Sequence, residues 1–313
     1  MSYEKAARII LKQCLNVKNA EKVLIIADKN TREIGEGIFN EAQNLSHAEL
    51  VLIPVGKQNG DEPPKDIARK ILDFDVVICP TTTSLTHTKA IKEAEKNGAR
   101  VATLPGITSR IMRESVVADY NEIAKFTEHI FKNVDKRKHA RVTTPSGTDI
   151  KFSLEKRNWF MDSGIIHKNG TGGNLPAGEV FIAPLEKTAQ GVIVIDYFFD
   201  EKVEYAKKGT KFIVKNGEVV ECVDKTCKMC TYFKTIKNAR NVAEFGIGTN
   251  EKAKIIGNIL QDEKVLGTCH IAFGNNSSMG GKVYSELHLD TVLQKPTIII
   301  DGKMIMKDGE FLI

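Results

Sequence analysis

The chain has 313 residues, 42% of them hydrophobic and 27% charged, and its 45 lysines and arginines stand against 40 aspartates and glutamates. That is the composition of an ordinary globular chain, long enough for two domains, since one core rarely grows past about 250–300 residues. The net charge of +5 is spread rather than gathered. The longest basic cluster, Lys136-Arg137-Lys138, reads as a solvated run at a domain junction, so no nucleic-acid footprint is expected, and no apolar run approaches the ~20 residues of a membrane span.

The N-terminal stretch MSYEKAARIILKQCLNV carries charges through a helical apolar pattern (Ala6, Ile9, Ile10, Cys14). It lacks the apolar core and cleavage site of a secretory signal. A cytoplasmic location is therefore expected, with the six cysteines as thiols or ligands rather than disulfides. Apolar, β-branched runs follow at 22–27, 49–55, 75–79 and 99–103, separated by helical spacing at 31–45, 65–72 and 86–97. Strands so uniformly apolar are buried on both faces, and β-α alternation predicts a parallel sheet between helices.

Ligands of such sheets sit beyond the carboxyl ends of the strands. Here those ends carry Asp28 and CPTTTSLTHT, with Thr81, Thr82, Ser84 and His87. His87 is either a surface histidine beside a helix cap or a substrate contact or proton-transfer group reaching into an interdomain cleft. Gly35 and Gly37 fall inside the helix after the first strand, so the dinucleotide fingerprint is missing and a nicotinamide cofactor is rejected.

A helix over about 119–137 leads into short strands with turn signals, among them Asn216-Gly217, Asp301-Gly302 and Asp308-Gly309. The predicted fold class is α/β in two domains. Residues 1–137 form a Rossmann-like parallel-sheet β-α-β domain, and 138–313 form an α+β domain whose largely antiparallel sheet carries a metal site.

Four stretches of this second half hold metal-type ligands: GEVFIAP (Glu179), AEFGIGTN (Glu244), GTCHIAFGNN (His270) and YSELHLDTVL (His288, Asp290). A strand over 284–290 would put Tyr284, Glu286, His288 and Asp290 on one face and Leu287 and Leu289 on the other. Such a face is a wet outer surface or a site. Glu179 alone, between a Gly/Pro loop and an apolar run, is either a solvated turn residue or a ligand whose charge a cation compensates. Carboxylates and imidazoles converging from strand ends suit Zn²⁺, Mn²⁺ or Fe²⁺. Five candidates exceed the three protein ligands of one catalytic zinc and fit a pair of ions.

At these residues the sequence resembles the thermophilic aminopeptidase family (the aminopeptidase T/S type of metallopeptidase). LPAGEVFIAP, AEFGIGTN, CHIAFGN and HLD resemble its metal-binding blocks in the same order. TTPSGTDIKF and, in the first domain, TTTSLTHT and GARVATLPGIT add weaker likeness. The resemblance implies Glu179, Glu244, His270, His288 and Asp290 as ligands of two divalent ions (Zn, Co or Mn). It also implies a homodimer that removes N-terminal residues from short peptides.

Two features depart from that family. The chain is about a hundred residues shorter, by a rough length comparison, and Ser277 stands where the family has its active-site tyrosine. Tyr284 is a candidate replacement, and Glu286, on the same predicted face, a candidate general base or acid. The short relatives also resemble dihydroxypyridine ring-cleaving dioxygenases, in which His270, His288 and Asp290 would hold one Fe²⁺.

The expectations are thus a two-metal aminopeptidase first, a mononuclear iron dioxygenase second, and a metal-binding homologue without turnover third. Cys222, Cys227 and Cys230 have an iron–sulfur-like C-x4-C-x2-C spacing. They read more simply as buried thiols beside a helix.

Overall fold

The computed structural model describes residues 3–196, 199–200, 203–204, 209–224 and 227–313. Two compact units result: residues 1–124 with 162–177, and residues 125–161 with 178–313. The sequence places one boundary after residue 137, whereas the chain passes between the units three times. The helix Tyr120–Val134 spans the first passage. Among the described residues no helix is long and apolar enough to cross a membrane.

The first unit is the expected parallel sheet. Its strands run in the order His47–Ile53, Lys22–Asp28, Val76–Cys79, Arg100–Thr103 and Gly172–Asn174, every neighbouring pair parallel. Strands Lys22–Asp28, Val76–Cys79 and Arg100–Thr103 are buried almost throughout, as two covered faces require. Helices Arg32–Gln43 and Lys89–Lys96 connect them, the second capped by the Thr88 hydroxyl, which accepts from Ile91 N–H.

Gly35 packs this layer closely: a Cβ there would meet Ala27 Cβ at 2.7 Å. The glycine thus serves helix–strand packing. The fifth strand lies in a Gly-rich stretch that sequence reads as a loop. A Cβ at Gly172 would come 3.1 Å from the Val101 carbonyl oxygen, so the missing side chain lets backbone pair with backbone.

The second unit packs two antiparallel sheets over one core. Eight strands run from Glu218–Cys222 at one edge, through Lys211–Lys215, Gln190–Val194, Asp149–Ser153, His139–Thr143, Thr297–Ile300 and Lys303–Lys307, to Glu310–Phe311. The other sheet has the order His288–Gln294, Thr268–Gly274, Val242–Gly248, Glu179–Ile182 and Phe160–Asp162. Val142, Ile150, Phe152 and Phe212 of the first sheet and Val180, Phe245, Ile271 and Phe273 of the second share one buried cluster. The rings of Phe152 and Phe245 meet edge to face at 5.1 Å.

Candidate metal centre

All four ligand-bearing blocks are adjacent strands of the second sheet. Antiparallel register pairs Gly248 with Glu179, Gly246 with His270, Ala272 with Asp290, and Gly274 with His288. Side chains alternate across a strand. Val180, Ile182, Phe245, Ile247, Ile271 and Phe273 therefore turn to the core, and Glu179, Glu244, His270 and Asp290 share the opposite face.

One irregularity is needed for this. Val242 and Glu244 have the same parity, yet Val242 belongs to the core cluster. A register shift between Val242 and Glu244 changes the phase, so Glu244 leaves the core face. The partners of the ligands are small. A Cβ on Gly246 would lie 2.0 Å from His270 Cε1 and 2.1 Å from Nε2, so the imidazole fills space that only glycine leaves open.

The donor atoms converge. His270 Nε2 stands 3.5 Å from Glu179 Oε2 and 3.4 Å from Glu244 Oε1, and His288 Nε2 stands 3.1 Å from Glu244 Oε2 and 3.5 Å from Asp290 Oδ1. His288 Nδ1 hydrogen-bonds the Asn275 carbonyl oxygen at 2.7 Å, which fixes Nδ1 as the donor and leaves Nε2 for a ligand. Glu179, Glu244 and His270 are buried, whereas the His288 side chain is 35% exposed and forms the open rim.

Two residues that sequence reasoning missed complete the cluster. Lys264, 1% exposed, places Nζ 2.5 Å from Glu179 Oε1 and 2.7 Å from Glu263 Oε1. Glu263 in turn shares a possible ligand sphere with His270 and Asp290. Lys264 reaches this position because the parallel bridge Asn250 to Val265 and the hydrogen bond from Leu266 N–H to the Asn250 carbonyl hold its loop beside the strand end. The only sequence signal was a short charged run, Asp262-Glu263-Lys264, which reads as surface.

Four carboxylates thus face two imidazoles and one ammonium, and the ionisations reflect the excess. Burial disfavours the His270 cation, but the Glu244 bond and the Glu179, Glu244 and Glu263 charges raise its pKa to about 9. His288, also disfavoured by burial, is held well above the ordinary histidine value by Asp290 and Glu244. Glu244, which burial alone would raise, is held far below the carboxylate range by both histidines. Burial pushes Glu263 up to about 8, with Lys264 opposing and the Asp290 and Glu179 charges adding to it. Glu179 Oε2 is buried and receives no hydrogen bond among the described residues. An orphaned carboxylate oxygen, an oriented imidazole nitrogen and an excess of negative charge fit a divalent cation.

Neither His87 nor Glu286 belongs to any of these ligand groups. The strand begins at His288, not at residue 284, so the period-two reading extends to His288 and Asp290 but not to Tyr284 and Glu286. Tyr284 is 68% exposed, and Glu286 is exposed in an irregular segment. Ser285 accounts for the break: its hydroxyl donates to the Lys237 carbonyl and accepts from Leu287 N–H. Leu287 and Leu289 do pack against the core. His87 is an exposed residue of the first unit, in the turn before helix Lys89–Lys96. Asp28 and Thr82 are bonded to each other, Asp28 accepting from both Thr82 N–H and Thr82 Oγ1–H.

The model of the 2,5-dihydroxypyridine 5,6-dioxygenase (NicX) family matches residues 3–313. The chain belongs to this family. No protein in a search of curated sequences matches it. Among solved structures, the NicX-family chain is similar to a 2,5-dihydroxypyridine dioxygenase from Pseudomonas putida KT2440, with a TM-score of 0.84 and 16% identity, over 100% of this chain and 98% of that one. It is also similar to wild-type AmpT from Thermus thermophilus, with a TM-score of 0.73 and 16% identity, over 99% of both chains.

At such identity both likenesses carry the fold alone. The aminopeptidase resemblance is therefore correct as to fold, while family membership falls to the reading that the sequence ranked second. NicX membership supports an enzyme of the dioxygenase type and gives no support to a hydrolase.

Proposed function

We propose that this protein is a mononuclear Fe(II) dioxygenase that opens a dihydroxylated nitrogen-containing aromatic ring. The observation that carries the choice of one ion is Lys264. Its ammonium already compensates the charge of Glu179, a carboxylate that a second metal would need. The NicX family match supports the reaction class.

His270, His288 and Asp290 would hold the iron, two imidazoles and one carboxylate being the ligand set of non-haem Fe(II) oxygenases. Iron held there would supply the redox chemistry that lets dioxygen react with the ring, both oxygen atoms entering the product. The Asn275 carbonyl keeps His288 turned toward the centre, and Glu244 lies against both imidazoles. Lys264 lowers the negative charge of the pocket, which favours an ionised hydroxylated ring. The open rim at His288 is the side from which that ring approaches.

The test is oxygen uptake. The chain loaded anaerobically with Fe²⁺, then given air and 2,5-dihydroxypyridine, should consume ring and dioxygen in equal amounts. His270→Ala, His288→Ala and Asp290→Ala should each abolish the reaction. Release of N-terminal residues from short peptides by the Zn²⁺, Co²⁺ or Mn²⁺ form, with an inert Fe²⁺ form, would reverse the ranking.

A further inference from the structure

A second group of metal-type ligands lies on the other sheet. Cys222 ends the edge strand Glu218–Cys222, Cys227 is the N-cap of helix Lys228–Thr235, and Cys230 is in its first turn. The three sulfurs share one small volume. Cys222 Sγ and Cys230 Sγ are in bonding contact, and Cys227 Sγ lies 2.6 Å from Cys230 Sγ and 3.5 Å from Cys222 Sγ. The Asp224 carbonyl oxygen lies 3.2 Å from Cys222 Sγ and 2.9 Å from Cys230 Sγ, close to the same point.

A disulfide employs two sulfurs and gives the third no reason to converge. A shared thiophilic cation draws in all three. Both spacings, x4 and x2, lie within the C-x2–4-C range of zinc sites. Cys269 is buried on strand Thr268–Gly274 and belongs to none of the grouped ligand sets. Among the described residues the protein thus supplies three ligands.

We propose that reduced Cys222, Cys227 and Cys230 bind one thiophilic divalent cation of the zinc class, with solvent in the fourth tetrahedral position. The cation ties the edge strand to the helix and stabilises the fold by linkage. Its donors are soft, whereas those of the His/carboxylate centre are harder, so the chain sorts two metals by ligand chemistry.

The experiment uses the full chain, stripped with chelator, fully reduced and titrated with Cd²⁺. A thiolate-to-cadmium charge-transfer band in the near ultraviolet should rise to an end point of one ion per chain. It should persist in His288→Ala and vanish in Cys227→Ser. X-ray absorption of the Cd²⁺-loaded wild type should show a shell of three sulfurs, a result that needs no variant to fold. Absence of the band in reduced wild type, its survival in Cys227→Ser, or a Cys222–Cys230 bond that resists reductant in the intact-mass spectrum would each overturn the proposal.

Discussion

Lys264→Met removes the ammonium while keeping the length and apolar stem of the side chain. The Glu179 contact, at 2.5 Å, is a Coulomb attraction of roughly 6–7 kcal/mol at an effective dielectric of about 20. Desolvation of the buried ions offsets much of this, and breaking such a pair from one side costs about 3–5 kcal/mol. In chelator the variant should therefore unfold at lower denaturant, by that amount of free energy.

The loss should be recoverable in a specific way. Glu179, left without its cation, becomes a ligand for a second divalent ion. An ion present at a hundredfold its dissociation constant should restore about 2.7 kcal/mol. Denaturant melts with and without Mn²⁺, together with metal analysis after gel filtration, check both parts. Wild type should hold one ion at the His/carboxylate centre and the variant two. Two ions at that centre in wild type, or a variant with neither recovery nor extra metal, would refute Lys264 as the built-in second cation.

Gly246→Ala should drive the His270 ring aside, because the new Cβ would lie 2.0 Å from Cε1. Metal affinity should fall by at least the ~10–100-fold that loss of an orienting partner costs, with a stability loss of about 1–3 kcal/mol from overpacking, read by metal titration and thermal melts. Phe273→Ala opens a cavity where its ring meets Phe212 at 5.7 Å and Phe233 at 5.3 Å, and should cost about 3–5 kcal/mol in a urea titration.

The Glu21 carboxylate grips the buried Arg100 guanidinium at 2.9 and 2.7 Å, and that bond holds its pKa below the ordinary carboxylate value against partial burial. A depressed folded-state pKa means stabilisation that is full above the unfolded value, roughly pH 4.3, and is lost as pH falls through the folded value. Glu21→Gln should lower stability near neutrality by about 3 kcal/mol, the low end for a one-sided break, and flatten the acid limb of the urea midpoint against pH.

The sequence by itself determined the parallel first unit, because strands buried on both faces must be apolar throughout and that pattern needs no partner to be read. It also determined which residue types gather in the second unit: His270, His288, Asp290, Glu179 and Glu244 each begin or punctuate an apolar run, and period-two alternation sends them to one face. Only the tertiary structure decided the phase. The bulge before Glu244 turns that residue out of the core, and Ser285 stands at a break before the strand, so that Tyr284 and Glu286 lie outside its period-two alternation. Return of residues 162–177 to the first unit was equally hidden, since a Gly-rich strand has no hydrophobic signature.

Lys264 shows the limit most clearly. A lysine in a charged run reads as solvated, and what makes it a buried cation is the carboxylate of Glu179, 85 residues away. Charge compensation of that kind depends on distances between atoms that sequence order does not encode. The choice between one metal and two therefore rests on the fold.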